Sequence, residues 1–127
     1  MFLVLEFESE TPIYLQIRNK IIEGIAKGQI KEGDKLPSVR ELASGVEVNL
    51  HTVNKAYNLL KDEGFVSVDR RKGVIVNIKK AKDDIEFKEK YNLKLNEITQ
   101  EGIAKGLSKK EILTLLEGIL KGYKGGE

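Results

Sequence analysis

The spacing of apolar residues constrains this chain most, because helical periodicity is interrupted by one pair of short β-branched runs. Isoleucine recurs every fourth residue over 13–25, which is typical of one face of an α-helix. The runs 65–68 and 74–78 are separated by a polar turn and predict a β-hairpin. Helical spacing then returns in the last third of the chain. The pattern predicts an α+β protein.

Three helices are predicted before the hairpin, each opened by a proline or an N-cap side chain and closed by glycine. Ser38 and Glu41 have the spacing of a capping box. The order helix, helix, short turn, helix, hairpin is that of a winged helix-turn-helix domain. The first predicted helix starts at Thr11-Pro12, with the Thr11 oxygen as the cap of a free N–H and Pro12 where no N–H is needed. The other two begin after Ser38 and Asn49, and the three helices end at Gly28, Gly45 and Gly64.

The chain divides into two predicted parts, the winged helix-turn-helix pattern with the segment before it, and the helical residues after it. The alternating run 2–7 predicts a short strand or an extended arm. We therefore expect a winged helix-turn-helix domain over 1–80 and a helical dimerisation segment over 81–127. The sequence EGIAKG occurs at 23–28 and at 101–106, and we interpret both copies as helix ends rather than as a structural repeat.

Two amphipathic helices are predicted in the second part, separated by Gly106 and by a capping box of Ser108 with Glu111. Two helices of this size cannot enclose a core, so their apolar faces must pack on the first domain or on a second subunit. We predict a homodimer interface. Its candidate residues are Phe87, Tyr91, Leu95, Ile98, Ile112, Leu116, Ile119, Leu120 and Tyr123.

Composition excludes several classes of function. The 127 residues include no Cys and one His, so the usual zinc ligand sets, thiol nucleophiles and redox pairs cannot form, whereas a carboxylate site for a hard cation stays open. The apolar opening 1–5 is broken by Glu6 and follows no basic region, so it predicts neither a signal peptide nor a membrane span. We expect no metal, no cofactor, no membrane association and a cytoplasmic location.

The net charge of +2 is unevenly distributed. Residues 49–82 carry eight basic and three acidic side chains, whereas residues 83–127 carry eight and nine. A local basic excess favours an anionic partner, and a solvated face is the alternative.

Polar and basic side chains lie on three successive predicted elements, as recognition of double-stranded DNA requires. Asn54 and Asn58 each have a side-chain amide of the kind that pairs with adenine, and Lys55 is long enough to reach a guanine edge or a phosphate. Arg40 lies on the helix that would cross the DNA backbone, and residues 70–72 lie at the tip of the predicted wing. The candidate DNA contacts are Ser38, Arg40, Asn49, His51, Thr52, Asn54, Lys55, Arg70, Arg71, Lys72 and Gly73.

Each of these residues also has a purely structural interpretation. Asn49 is an N-cap in any case, and His51 fits a solvent-facing first turn. Arg40 has Glu41 and Asp34 nearby for a surface ion pair, and residues 70–72 fit an exposed turn. Catalysis is not expected, because the sequence has no glycine-rich phosphate loop after a strand and no grouping of Ser, His and acid.

Four motifs resemble the DNA-binding domain of GntR-family transcriptional regulators. They are PIYLQI at 12–17, GDKLPSVRELA at 33–43, NLHTVNKAY at 49–57 and EGF at 63–65. The third motif and the short tail are similar to the YtrA subfamily.

The resemblance implies a winged-helix repressor that binds a pseudo-palindromic operator as a homodimer joined through two C-terminal helices. It implies that Arg40 contacts the DNA backbone and that Gly73 is the wing-tip glycine. The groove-reading residues that it implies are Asn49, His51, Thr52 and Asn54.

This sequence departs from the family pattern at the helix-turn-helix corner and at the wing. Glu47 replaces the usual glycine, Leu50 replaces a position that is commonly polar or proline, and the wing reads RRKGV instead of GxGT.

Two other functions stay open at this point. One is a sensor of an unidentified small molecule with DNA release as its output, and the other is a winged-helix module that docks on an acidic protein. We expect the tail, 81–127, to be too short for a separate effector domain.

Overall fold

The computed structural model describes residues 3–123 and separates the chain into two units, one ending at Ile78 and one beginning at Lys79. The α+β winged helix-turn-helix fold is confirmed. The first unit contains α1 (Ile13–Ala26), α2 (Val39–Val46), α3 (Leu50–Asp62), β1 (Val66–Asp69) and β2 (Gly73–Val76). The second contains a 3₁₀ turn (Ala81–Asp83), α4 (Ile85–Ala104) and α5 (Lys109–Leu120).

The core of the first unit lies between α1 and α3. Ile17 and Ile21 of α1 and Val53 and Leu60 of α3 are all 0% exposed, so the two helices share one dehydrated seam. Burying side chains of this size contributes about 1.5–3 kcal/mol each. The isoleucine spacing of α1 is therefore the signature of a core face, as predicted.

Tyr57 closes the core on the side of α2. Its hydroxyl donates a hydrogen bond of 2.7 Å to the backbone carbonyl of Pro37. Burial, followed by the negative charge of Glu41, raises the pKa of Tyr57, so the phenol stays neutral and available as a donor. The start of α2 is thereby attached to α3.

An ion pair joins α1 to the end of α3. Arg18 Nε donates to Glu63 Oε1 at 2.9 Å, and its Nη2 donates to Oε2 at 3.1 Å. This two-pronged geometry holds a guanidinium and a carboxylate in a single orientation. It adds a polar constraint on α3 beside the apolar seam.

The hairpin is more than two-stranded in its hydrogen bonding. β1 and β2 pair antiparallel, with Val66 opposite Val76 and Asp69 opposite Gly73. The loop 33–36 adds to the free edge of β2 through Gly33 N–H to Val76 C=O (2.8 Å) and Leu36 N–H to Val74 C=O (2.9 Å). The wing is therefore attached to the loop that precedes α2.

Most predicted helix ends are confirmed. The capping boxes of Ser38 with Glu41 and of Ser108 with Glu111 are both present, and Asn49 caps α3. Two predictions were wrong: the N-cap of α1 is Pro12, with no side-chain cap from Thr11, and α2 continues past Gly45 to Val46.

The two EGIAKG copies end α1 and α4 by the same local geometry. Gly28 and Gly106 follow the helices with φ of 76° and 96°, which favour glycine. A Cβ on Gly24 would lie 2.7 Å from Ile30 Cδ1, and one on Gly102 would lie 3.1 Å from Leu107 Cδ1. Each copy thus admits an apolar residue from the following turn against the helix, which agrees with their interpretation as helix ends.

The alternating run near the N-terminus is not a strand over its described residues, 3–7, and Phe2 lies outside the part that the structure describes. Leu3 and Leu5 pack against the core, but Phe7 is 64% exposed. The segment is held instead by Gln16, whose side chain bonds both the N–H and the C=O of Glu6. Of the two predicted alternatives, the strand is therefore wrong, and a side-chain clamp holds the segment.

The second unit has its apolar residues mainly on its surface. Of the nine candidate interface residues, eight are exposed, from Phe87 at 37% to Ile98 at 64%. Ile112 is the exception, since it is half-buried and its Cδ1 would lie 3.8 Å from a Cβ on Gly102. It joins α5 to α4 within the chain.

The helix-turn-helix corner contains the one non-glycine residue among 3–123 with a left-handed backbone. Glu47 has φ 55° and ψ 46° and forms the C-cap of α2, where its N–H donates to Ala43 C=O. A left-handed conformation costs an L-residue about 1–2 kcal/mol. The departure at this position therefore stores strain in the turn.

We expect Glu47→Gly to raise the free energy of unfolding by about 1 kcal/mol, because glycine adopts this conformation without a Cβ clash. Chemical denaturation at constant m-value measures the change. Gly45→Ala is the control for the opposite exchange on the same helix, since its added Cβ would meet no atom within 4 Å beyond its chain neighbours and the backbone of its own helix. It should also stabilise, by about 0.5–1 kcal/mol, through helix propensity. A lower stability for Glu47→Gly would contradict the assignment of strain.

Candidate nucleic-acid interface

The turn between α2 and α3 has the length of a helix-turn-helix corner, three residues from Glu47 to Asn49. Because α3 buries Val53, Ala56 and Leu60, its opposite face is turned to solvent. His51, Asn54, Lys55, Asn58 and Lys61 are all exposed there. This is the geometry of a recognition helix, whose N-terminal residues enter the major groove.

Of the polar residues at the start of α3, some form the helix cap or are partly buried, and others are exposed to solvent. The side-chain oxygen of Asn49 accepts the N–H of His51 at 2.7 Å, so that oxygen is occupied by capping. Thr52 is half-buried, whereas His51 and Asn54 are exposed. Asn54 therefore presents a side-chain amide to solvent near the start of α3.

The start of α2 presents one cation that has no ion-pair partner among residues 3–123. Ser38 is committed to the cap, accepting from Glu41 N–H at 3.0 Å, and its own N–H bonds the Glu41 carboxylate at 2.9 Å. Hydrogen bonds from Ser38 lower the pKa of Glu41. Arg40 is exposed and forms no ion pair within residues 3–123, so the suggested pairing with Glu41 or Asp34 is absent there.

The tip of the wing is organised by Asp69. One oxygen of its carboxylate accepts the backbone N–H groups of Arg71 at 2.8 Å and Lys72 at 3.0 Å. These two hydrogen bonds, first that from Lys72, lower the pKa of Asp69. The turn exposes three basic side chains in succession, Arg70, Arg71 and Lys72.

Gly73 completes the tip with a φ of 87°. A Cβ there would lie 3.4 Å from Lys35 Cε, so the side chain of Lys35 runs alongside the wing. Lys35 also forms a bridge with Ile75 of β2. The structure thus adds a fourth basic residue to the wing.

Sequence reasoning missed Asp69, Lys35 and Tyr14 as parts of this surface. For Asp69 a signal existed. An Asp at the start of a predicted turn commonly accepts a hydrogen bond from the backbone N–H two residues further along the chain. Tyr14 underlies Lys55, 41 positions further along the chain, and no local pattern could have indicated that contact.

Residues 3–123 contain no group of three His, Asp or Glu side chains suited to hold a metal ion. In the same range, no helix is both long and apolar enough to cross a membrane. An open cleft of about 650 Å³ lies on the first unit, and its lining carries both signs of charge. It is lined by Leu3, Lys20, Glu23, Gly24, Gln29, Ile30, Asp34, Lys35, Leu36, Pro37 and Glu41.

The helix-turn-helix of α2 and α3, followed by the wing of β1 and β2, defines a DNA-binding domain of the winged helix-turn-helix class. Residues 13–76 match the family model described as bacterial regulatory proteins, gntR family, and the chain belongs to this family. It is a DNA-binding transcriptional regulator, and the relatives named here are regulators, not enzymes.

Two curated relatives place it further. The uncharacterized HTH-type transcriptional regulator YhcF of Bacillus subtilis is 36% identical over 126 residues, which cover 95% of this chain and 98% of that protein. The HTH-type transcriptional repressor YtrA of the same species is 48% identical over 69 residues, 54% of this chain and 53% of YtrA. The similarity to YtrA-like regulators is confirmed.

Solved structures agree. A transcriptional antiterminator from Listeria monocytogenes has a TM-score of 0.87 at 30% identity, covering 100% of this chain and 96% of its own. YtrA from Sulfolobus acidocaldarius, a GntR-family transcription factor, has a TM-score of 0.67 at 45% identity, and the match covers 80% of this chain and 97% of YtrA. AraR(DBD) in complex with operator ORX1 has a TM-score of 0.51 at 30% identity, and the match covers 58% of this chain and 92% of the AraR chain.

We expect Asp69→Ala to speed hydrogen exchange at the amides of Arg71 and Lys72, because both lose their acceptor. Amide exchange followed by NMR measures the effect. Since the pKa of Asp69 is lowered in the folded state, its stabilising contribution is present above the ordinary carboxyl pKa and is lost as the pH falls through the folded value. Asp69→Asn keeps the oxygen and is the control. Unchanged exchange in Asp69→Ala would refute this role.

Proposed function

We propose that this chain is a cytoplasmic transcriptional repressor that binds a pseudo-palindromic operator as a homodimer. The observation that carries the proposal is the exposed polar face of α3 together with exposed Arg40 on α2 and the three exposed cations of the wing tip. Two of its curated relatives carry the name repressor, YtrA and an arabinose metabolism repressor of Geobacillus stearothermophilus. The AraR(DBD) complex with its operator supports DNA as the ligand.

The proposed contacts divide into two kinds. Arg40 and the wing residues 70–72 meet phosphates and set the position of the domain, because a charge attracts every phosphate alike. Asn54 reads a base edge, since an amide can donate and accept two hydrogen bonds to adenine. Ser38 and Asn49 act mainly through their caps, which hold the starts of α2 and α3 toward the duplex.

We expect Arg40→Ala to weaken binding to all duplexes alike and to reduce the slope of log affinity against log salt concentration by about one. Asn54→Ala should cost about 1–3 kcal/mol at selected operator positions only. Fluorescence anisotropy with a duplex selected from a random pool, and with an unrelated duplex, measures both effects.

Lys110→Ala is the matched control, because it removes an exposed cation from the second unit. If the wild type binds no duplex with salt-dependent affinity, DNA binding by this chain is wrong. If the wild type binds no DNA but captures an acidic protein, the result would favour the alternative function, a winged-helix module that docks on that protein.

The homodimer is supported by the exposed apolar face of α5. Leu116, Ile119 and Leu120 are 42–61% exposed, and helical spacing places them on one side of α5. Tyr123, which is 40% exposed, follows the end of the helix. Contiguous apolar surface of this kind marks an interaction site. A second copy would cover it and would place two recognition helices roughly 34 Å apart, one turn of DNA.

We expect light scattering to give about twice the single-chain mass of 14.3 kDa. Leu116→Glu should shift the mass to that of the single chain, because a carboxylate would be buried at the interface. Thr114→Glu adds the same charge on the opposite side of α5 and should leave the dimer intact. A single-chain mass that does not change with concentration would rule the homodimer out.

A further inference from the structure

The side chain of Lys55 is held by an aromatic ring from another helix. Its Nζ lies 4.1 Å from the centroid of the Tyr14 ring. Tyr14 is in the first turn of α1 and is half-buried against the core, whereas Lys55 is exposed on α3. A rigid platform therefore supports a flexible cation on the recognition helix.

The chemistry of this contact differs from that of an ion pair. An aromatic face attracts an ammonium through its quadrupole and carries no formal charge. A carboxylate partner would cancel the charge of Lys55, and within residues 3–123 no carboxylate lies within ion-pair distance of it. The ring thus restricts where the ammonium lies while leaving its whole charge available to an anion.

The direction of the side chain indicates which anion. At 100° per residue, Lys55 and Asn54 lie 100° apart on the exposed side of α3, so their side chains leave the helix in different directions. The contact with Tyr14 shows that Lys55 extends toward α1, away from the axis of α3. When a helix lies in the major groove, residues that extend sideways meet the phosphates at the groove wall, whereas residues that point straight outward meet base edges.

We propose that Lys55 binds a backbone phosphate and that Tyr14 is its positioning residue. This inference rests on the proposed binding of DNA and deepens it. It removes Lys55 from the candidates for reading guanine. It also gives α1, which contributes no candidate contact of its own, a part in setting how the domain sits on the duplex.

The test is a double-mutant cycle on full-length protein, with the selected operator duplex and an unrelated duplex as probes. Lys55→Met removes the charge and keeps the length. Tyr14→Leu removes the ring and keeps an apolar side chain, and Tyr14→Phe is the matched control that keeps the ring face. Affinity is measured across salt concentrations for all variants and for the double variant Tyr14→Leu with Lys55→Met.

We expect Lys55→Met to weaken binding to both duplexes by the same factor and to lower the salt slope by about one. Tyr14→Leu should lose part of that affinity, and Tyr14→Phe should match the wild type. The loss from Tyr14→Leu should disappear in the Lys55→Met background. A purely structural role for Tyr14 would give the same loss in both backgrounds.

Other outcomes overturn the proposal. Loss restricted to the operator with an unchanged salt slope would make Lys55 a base reader. Equal losses from Tyr14→Leu with and without Lys55 would refute positioning, while DNA binding by the wild type stands. Absence of any salt-dependent binding by the wild type would overturn this inference together with the proposed function.

A second measurement is independent of the folding of Tyr14→Leu. In the NMR spectrum of the wild type and of Tyr14→Phe, the Hε protons of Lys55 should be shifted upfield by the ring. Normal shifts in both proteins would show that the platform does not hold the side chain, and would overturn the proposal.

Discussion

The burial of one face of α3 is the constraint on which the rest of the first unit depends. Val53, Ala56 and Leu60 are fully buried against α1, and Tyr57 adds a hydrogen bond to the loop before α2. A helix whose inner face forms the core must present its opposite face to solvent in a fixed direction. The helix that stabilises the domain is for that reason the helix that we propose reads DNA.

The polar contacts around this core set the position of each cation-bearing element. The Ser38 capping box starts α2, the bonds from loop 33–36 join the wing to that loop, and Arg18 with Glu63 anchors the end of α3. An exposed ion pair contributes little stability by itself. Together with the buried seam, however, it limits how α3 can rotate, so that Asn54 and Lys55 keep their directions.

Much of the fold followed from local rules. Capping at Ser38, Asn49 and Ser108 and termination at glycine depend on residues within one turn of each other, so their patterns are legible in the sequence. The errors arose where packing overrode a local rule. Gly45 did not end α2. The helix continues for one more residue to Val46, because the side chain of Val46 packs against the core.

The sequence by itself determined the order of elements, the apolar faces of the helices and the identity of the basic segments, because each depends on residues close together in the chain. Only the tertiary structure decided that Arg40 has no carboxylate partner in the described chain, that Lys35 lies along the wing and that Tyr14 supports Lys55. The last two relations join residues 38 and 41 positions apart, from Lys35 to Gly73 and from Tyr14 to Lys55. Periodicity and capping patterns describe only neighbours along the chain, whereas these contacts depend on how the helices pack.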